Sequence, residues 1–193
     1  MDLSKQTKQL LLLLLLTVIS VTAFQNTSSL QEPISNTTST VEQPVAFARN
    51  ANYISYKNQG EPSMKVSSKE SLYYATSGRV LIDAPVIDLE TSDKRIVQLR
   101  AKSGIYMTED EALTLIGEVR LQQKNAGNDP LTLTTERLEF NAATRFISTD
   151  QVVKIVKGNN QVNAVGLNAS IDDKNIHLLS KVRGRYFFGN SDG

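Results

Sequence analysis

The chain of 193 residues has no cysteine, no tryptophan and a single histidine, His177. Without cysteine there is no disulfide framework, no thiolate nucleophile and no Cys-ligated zinc site. The absence fits an oxidising compartment without requiring one. One histidine removes most His-based metal centres and catalytic triads. Excess charge is missing as well: 21 basic side chains stand against 20 acidic ones. A general nucleic-acid binder needs a basic stripe to displace phosphate counterions, so no nucleic-acid partner is expected. The same balance gives no long-range pull toward an anionic membrane surface.

Long apolar runs are rare, and the one present lies at the N-terminus. Lys5 and Lys8 precede Leu10 to Phe24, which includes seven consecutive leucines. As a helix this run spans roughly 22 Å, short of the ~20 apolar residues of a full transmembrane helix. It reads as an anchor over residues 9–24 behind a cytoplasmic tail at 1–8. It reads equally as a signal peptide cleaved after Val21-Thr22-Ala23. In both cases, lysines before the run and none just after it place the rest of the chain outside the cytoplasm. Residues 25–45 are rich in Asn, Ser and Thr and punctuated by Pro33 and Pro44, a flexible tether.

From Phe47 onward the pattern has period two. Val97 to Lys102, Leu113 to Gln122 (with Gly117 at one inward position), Leu131 to Thr135 and Ile176 to Val182 alternate apolar and polar residues, as half-buried strands do. Turn residues separate them at Asn58-Gln59-Gly60, Asn125 to Pro130, Lys157 to Asn160 and Asp172 to Asn175. A weak repeat recurs roughly every 33 residues. Leu72-Tyr73-Tyr74, Ile105-Tyr106-Met107, Leu138-Glu139-Phe140 and Ala169-Ser170-Ile171 each open a unit. Each is followed by a valine-bearing strand at Pro85-Val86-Ile87, Glu118-Val119-Arg120, Gln151-Val152-Val153 or Lys181-Val182-Arg183. Stacked strand–turn–strand units predict an all-β, folded-over antiparallel sheet of the jellyroll kind, with an edge strand at each end. Such edges are either capped or used to pair with another chain.

Chemistry is sparse. Glu109-Asp110-Glu111 and Asp172-Asp173 fall in predicted turns, where carboxylates stay solvated and do not face one cleft as a glycosidase pair must. His177 alternates with Ile176 and Leu178 and is expected to point outward. Gly158 and Gly166 stand singly, with no phosphate-cradling loop. No enzyme activity, metal or cofactor is expected. The apolar face, including Leu113, Leu115, Val119, Leu121, Leu133, Phe140 and Phe146, is either a filled core or a groove for an apolar ligand; alternation alone does not decide.

The ordered set Tyr56-x-x-x-Gly60, Ala84-Pro85-Val86, Ala101-Lys102, Leu115-Ile116-Gly117-Glu118-Val119, Thr134-Thr135-Glu136, Gly166-Leu167, Lys174-Asn175 and Lys181-Val182-Arg183-Gly184-Arg185-Tyr186 resembles the LptC family of lipopolysaccharide export proteins. The resemblance covers most of the chain after Tyr53; the Asn/Thr-rich tether and the short leucine-heavy anchor depart from the family pattern. It implies an uncleaved single-pass anchor in the inner membrane and a periplasmic β-jellyroll over residues 46–190. It further implies that lipopolysaccharide arrives from an ABC transporter (LptB, LptF and LptG) and leaves for the bridge protein LptA, with energy from the partner ATPase. Ile82, Leu113, Leu115, Val119, Phe140, Ile176 and Tyr186 would then line the lipid groove. Gly166, Leu167, Leu178, Val182 and Tyr186 would form the docking end. The rival expectations are a soluble periplasmic shuttle of the same fold and a jelly-roll carbohydrate-binding or carbohydrate-processing protein.

Overall fold

A computed structural model describes residues 42–56, 60–124, 130–173 and 175–187. The expected tail, the apolar run and the tether up to Val41 lie outside the described residues, as do Asn58-Gln59 and most of the turn at 125–130. Among the described residues no helix is long and apolar enough to cross a membrane.

The alternating segments form strands β1 Ala46–Tyr56, β2 Pro62–Tyr74, β3 Arg79–Asp83, β4 Val86–Glu90, β5 Ile96–Arg100, β6 Ser103–Met107, β7 Ala112–Gln123, β8 Thr132–Asn141, β9 Phe146–Lys157, β10 Asn160–Ser170 and β11 Ile176–Arg185. All pair antiparallel in one sheet of order β11-β10-β9-β8-β7-β5-β4-β2-β3-β6, with β1 added beside β2 and β6 also paired to β7. The short strands fill the space between two long ones. Along β2, β4 pairs with Met64–Ser67 and β3 with Glu70–Tyr74. Along β7, β6 pairs with Ala112–Ile116 and β5 with Arg120–Gln123. The sheet is thus creased into two leaves that share the long strands. The first leaf holds β3, β6 and the strand halves in line with them; the second holds β4, β5 and the remaining halves.

The crease is built from bulges. Asn50 (φ 49°), Ala84 (48°), Gly117 (80°), Glu118 (48°), Gly166 (79°) and Lys181 (51°) all take left-handed backbone there. Register shifts fall between Ile116 and Val119, Thr134 and Glu139, and Val165 and Leu167. A bulge bends its strand and interrupts the ladder, leaving backbone groups to be satisfied in other ways. Two inward-facing threonines supply the missing donors: Thr135 Oγ1 donates to the Val152 carbonyl at 2.9 Å, and Thr149 Oγ1 to the Arg137 carbonyl at 2.6 Å. Both are buried. Polar residues in an otherwise apolar interior therefore mark the fold line.

The tips of the first leaf repeat too. The last residue of successive turns is left-handed at Gly78 (φ 61°), Glu111 (50°) and Arg145 (54°). The carbonyls of these three accept from the amides of Thr108, Ala142 and Ile171, so each turn is stacked on the next. The repeat expected from sequence has this physical form: its opening triplets close a strand just before a tip turn, and its valines follow the crease.

The core lies between the leaves and draws on both. Phe140, Leu115, Leu138 and Leu167 from the first leaf and Ile87, Leu89, Leu99 and Leu133 from the second are almost wholly inaccessible. Each contributes about 1.5–3 kcal/mol by burial. Two expectations need correction. Phe146 is 40% exposed and faces outward, because the phase of β9 turns Ile147 inward instead. Gly117 is not an inward strand position but the bend of β7, where a side chain would press on Lys102.

Candidate functional site

The register arranges the inward side chains in rows that cross the strands. On the first leaf one row runs Tyr73, Val80, Tyr106, Leu113, Phe140, Ile147, Ala169, Ile176. On the second a row runs Tyr53, Val66, Ile87, Leu99, Leu121, Leu133, Ile155, Val162, Gly184. Both are dry in the middle and open at the ends. Phe140 is 1% exposed, whereas Ile176, three strands farther along the same row, is 42% exposed.

Of the residues expected to line a groove, Leu113, Leu115, Val119 and Phe140 are packed core here, and Ile82 is partly buried against that core. Ile176 lies elsewhere, in a cleft of about 390 Å³ between the free margins of the leaves. Val97, Leu121 and Leu131 wall the cleft on one side, and Ile147, Ala169 and Ile176 on the other. Arg95 and Lys157 stand among its lining residues. Sequence reasoning picked out Ile176 but missed its companions, because alternation assigns a face and cannot say which residues of two facing leaves oppose each other.

Beside this cleft the leaf tips are tied together. Arg145 Nε donates to Asp172 Oδ2 at 2.7 Å and Arg145 Nη2 to the Glu90 carbonyl at 2.6 Å, while the Ser92 amide donates to Asp172 Oδ1 at 3.3 Å. One arginine from the first leaf's turn thus grips the β4–β5 hairpin of the second. Asp172 was expected to be a solvated turn carboxylate, and its side chain is 33% exposed because this contact covers it.

The C-terminal end is different in kind. β11 is hydrogen-bonded only to β10, so its other backbone edge is free among the described residues. Val182 is 53% and Tyr186 62% exposed, although both share the inward phase of Ile176 and Leu178. Leu178 is half-buried over Leu167, which is itself fully inaccessible and so supports the edge strand from beneath rather than offering a surface. Gly166 sits at the crease under β11; a side chain there would come within 2.8 Å of Leu179. His177 is exposed, as expected. The opposite end carries tyrosines. Tyr53 and Tyr73 are 60% and 37% exposed on the inward phase, and burial, then Glu111 and Tyr53, push the Tyr106 phenol above its ordinary range.

The family described as "Lipopolysaccharide-assembly, LptC-related" matches residues 10–187. The chain belongs to that family. The match extends from the N-terminal apolar run through β11 and includes both open ends of the sheet. Comparison with curated proteins finds no match by sequence. Among solved structures the fold is similar to LptH, the LptA homologous periplasmic component of the conserved lipopolysaccharide transport device from Pseudomonas aeruginosa. That likeness has 9% identity and a TM-score of 0.51, and it covers 64% of this chain and 94% of LptH. Membership of the LptC-related family connects the chain with lipopolysaccharide transport, and the shared fold is the folded-over sheet described above. Among the described residues no group of three or more His, Asp or Glu side chains is placed to hold a metal ion.

Proposed function

We propose that this chain relays lipopolysaccharide, receiving it from an inner-membrane ABC transporter of LptB, LptF and LptG and passing it to the bridge protein LptA. The observation that carries the reading is the inward apolar face, closed in the middle and uncovered at β11, with an apolar cleft at Ile176 beside it. Acyl chains would enter between the leaf margins and run along the apolar rows. The saccharide and phosphate parts, too polar to bury unpaired, would stay outside. The free edge of β11 would accept a strand of LptA, and that of β1 a strand from a transporter subunit, by main-chain pairing. In this reading residues 9–24 anchor the chain in the inner membrane, 25–45 tether it, and the sheet lies in the periplasm. Family membership supports the transport role, and the lysines before the apolar run support the orientation.

The test is binding of intact and deacylated lipopolysaccharide to the full chain and to Ile176→Asp. Binding of the intact form only, weakened at least tenfold by the substitution, is expected. Equal binding of both forms would replace the lipid reading with a carbohydrate one. Intact mass of membrane-extracted protein checks the anchor: loss of residues 1–23 would make the chain a soluble shuttle.

A further inference from the structure

The two leaves carry different charge on their outer faces, and the near-neutral total conceals it. On the first leaf, cations are matched with carboxylates: Arg49 with Glu70 at 3.1 Å, Lys69 with Asp83 at 3.8 Å, Arg137 with Glu139 at 3.2 Å. On the second, the register lines up Arg100, Arg120, Thr134, Lys154, Asn163 and Arg183 on six adjacent strands. The neighbouring row is Gln98, Gln122, Thr132, Val156, Gln161 and Arg185. Across these six strands neither row contains a carboxylate; the second row meets one only on β4, where Asp88 pairs with Gln98. Arg100, Arg120, Lys154, Arg183 and Arg185 are exposed and form no ion pair with the described residues. The carboxylates flanking the rows are Glu118 and Glu136 toward the crease and Asp88 toward β4. Glu118 is held by Lys102 at 2.7 Å and Asp88 by Lys124 at 3.1 Å.

Arg100 stands directly opposite Arg120, an arrangement that destabilises a sheet unless something anionic offsets it. Both line a shallow depression of about 340 Å³ together with Gln98, Gln122 and, at its crease side, the mutually paired Lys102 and Glu118. Six strands at ~4.8 Å spacing spread the row over about 24 Å, along a surface rather than around one point. A single compact anion needs convergent cations; an array of phosphate headgroups needs a line of them.

We propose that the outer face of the second leaf docks on an anionic bilayer surface through Arg100, Arg120, Lys154 and Arg183, with lipid phosphates between the side chains. The contact orients the sheet so that its first leaf faces away from the bilayer. This is separate from the binding of lipid between the leaves, and either can fail without the other.

The chain has no cysteine, so a single introduced thiol carries a fluorophore without competition. Full chain with Thr134→Cys, in the middle of the row, is compared with Ser148→Cys on the outer face of the first leaf. Both are mixed with phosphatidylcholine vesicles holding a headgroup quencher, with and without phosphatidylglycerol. Quenching of the Thr134 position only, and only with phosphatidylglycerol, is expected. Raising salt from about 0.1 M to about 1 M should abolish it, since screening then acts within about 3 Å. Each lost charge should lower the anionic-vesicle affinity about fivefold, so Arg120→Gln with Lys154→Gln lowers it roughly 25-fold while the unfolding midpoint holds or rises, the Arg100–Arg120 repulsion being relieved. Equal quenching at both positions, equal quenching on neutral vesicles, or indifference to the double substitution would each overturn the proposal. So would capture of an acidic protein on this face with no response to vesicles.

Discussion

The middle of the sheet and its C-terminal end are made from the same unit and follow the same inward phase, yet one is a core and the other is not. Phe140 and Ile176 lie in one row; Val153 and Ala164 pair with each other beside Val182 in another. Val153 is fully inaccessible and Val182 is 53% exposed. The difference is position in the stack. An interior strand has neighbours on both sides and an opposing leaf above, whereas β11 has one neighbour and no covering strand among the described residues. An apolar face at the end of a stack is therefore an unfinished layer, completed by whatever pairs with it.

The sharpest way to break this comparison is to truncate Phe140 and Ile176, which share one inward row, in parallel. Phe140→Ala should cost about 3–5 kcal/mol of stability, measured by urea unfolding, because it empties closely packed volume. Ile176→Ala should cost less than about 1 kcal/mol. Equal losses would mean that the C-terminal end is as well packed as the middle. Next in size is Thr135→Val at the crease, which leaves the Val152 carbonyl without its hydroxyl donor; about 1–3 kcal/mol is expected in the same assay. Gly166→Ala forces a side chain into left-handed backbone and against Leu179, at about 1–2 kcal/mol for the backbone alone. Its effect should be local: faster amide exchange in β10 and β11, and unchanged protection in β7 and β8. Outside that row, the smallest effect belongs to Arg145→Ala. It unties the leaf tips at a cost near 1 kcal/mol, since the Arg145–Asp172 pair is only partly shielded. A larger gain in labelling of a thiol at Leu131 inside the cleft should accompany it.

Much of the fold was legible because the period-two pattern and the repeat of roughly 33 residues are local signals. They placed Leu113, Leu115, Phe140 and Ile176 on one face. The crease was not legible. It reverses the phase within β8 and β10, so that Leu133 and Thr135 face the same way as Leu138 and Phe140. The outward turn of Phe146 follows from the phase of β9, which no local pattern gives, and the sequence marks of the bend are single residues, Gly117, Gly166 and the inward Thr135 and Thr149. The cleft and the Arg145 tie depend on which leaf opposes which, a matter of long-range register that no local pattern carries. The cationic row was equally hidden: Arg100, Arg120, Lys154 and Arg183 are far apart in sequence and meet only through the ladder.

The account rests most heavily on lipid contacting the inward face at the open end. A photo-crosslinking side chain placed in turn at Ile176, Tyr186 and Ile82, with Phe146 and His177 as outward controls, tests this in membranes containing lipopolysaccharide. The account predicts adducts of acylated lipopolysaccharide from Ile176 and Tyr186, weaker ones from the more enclosed Ile82, and none from Phe146 or His177. Adducts of equal strength from the outward positions, or none from Ile176, would contradict it.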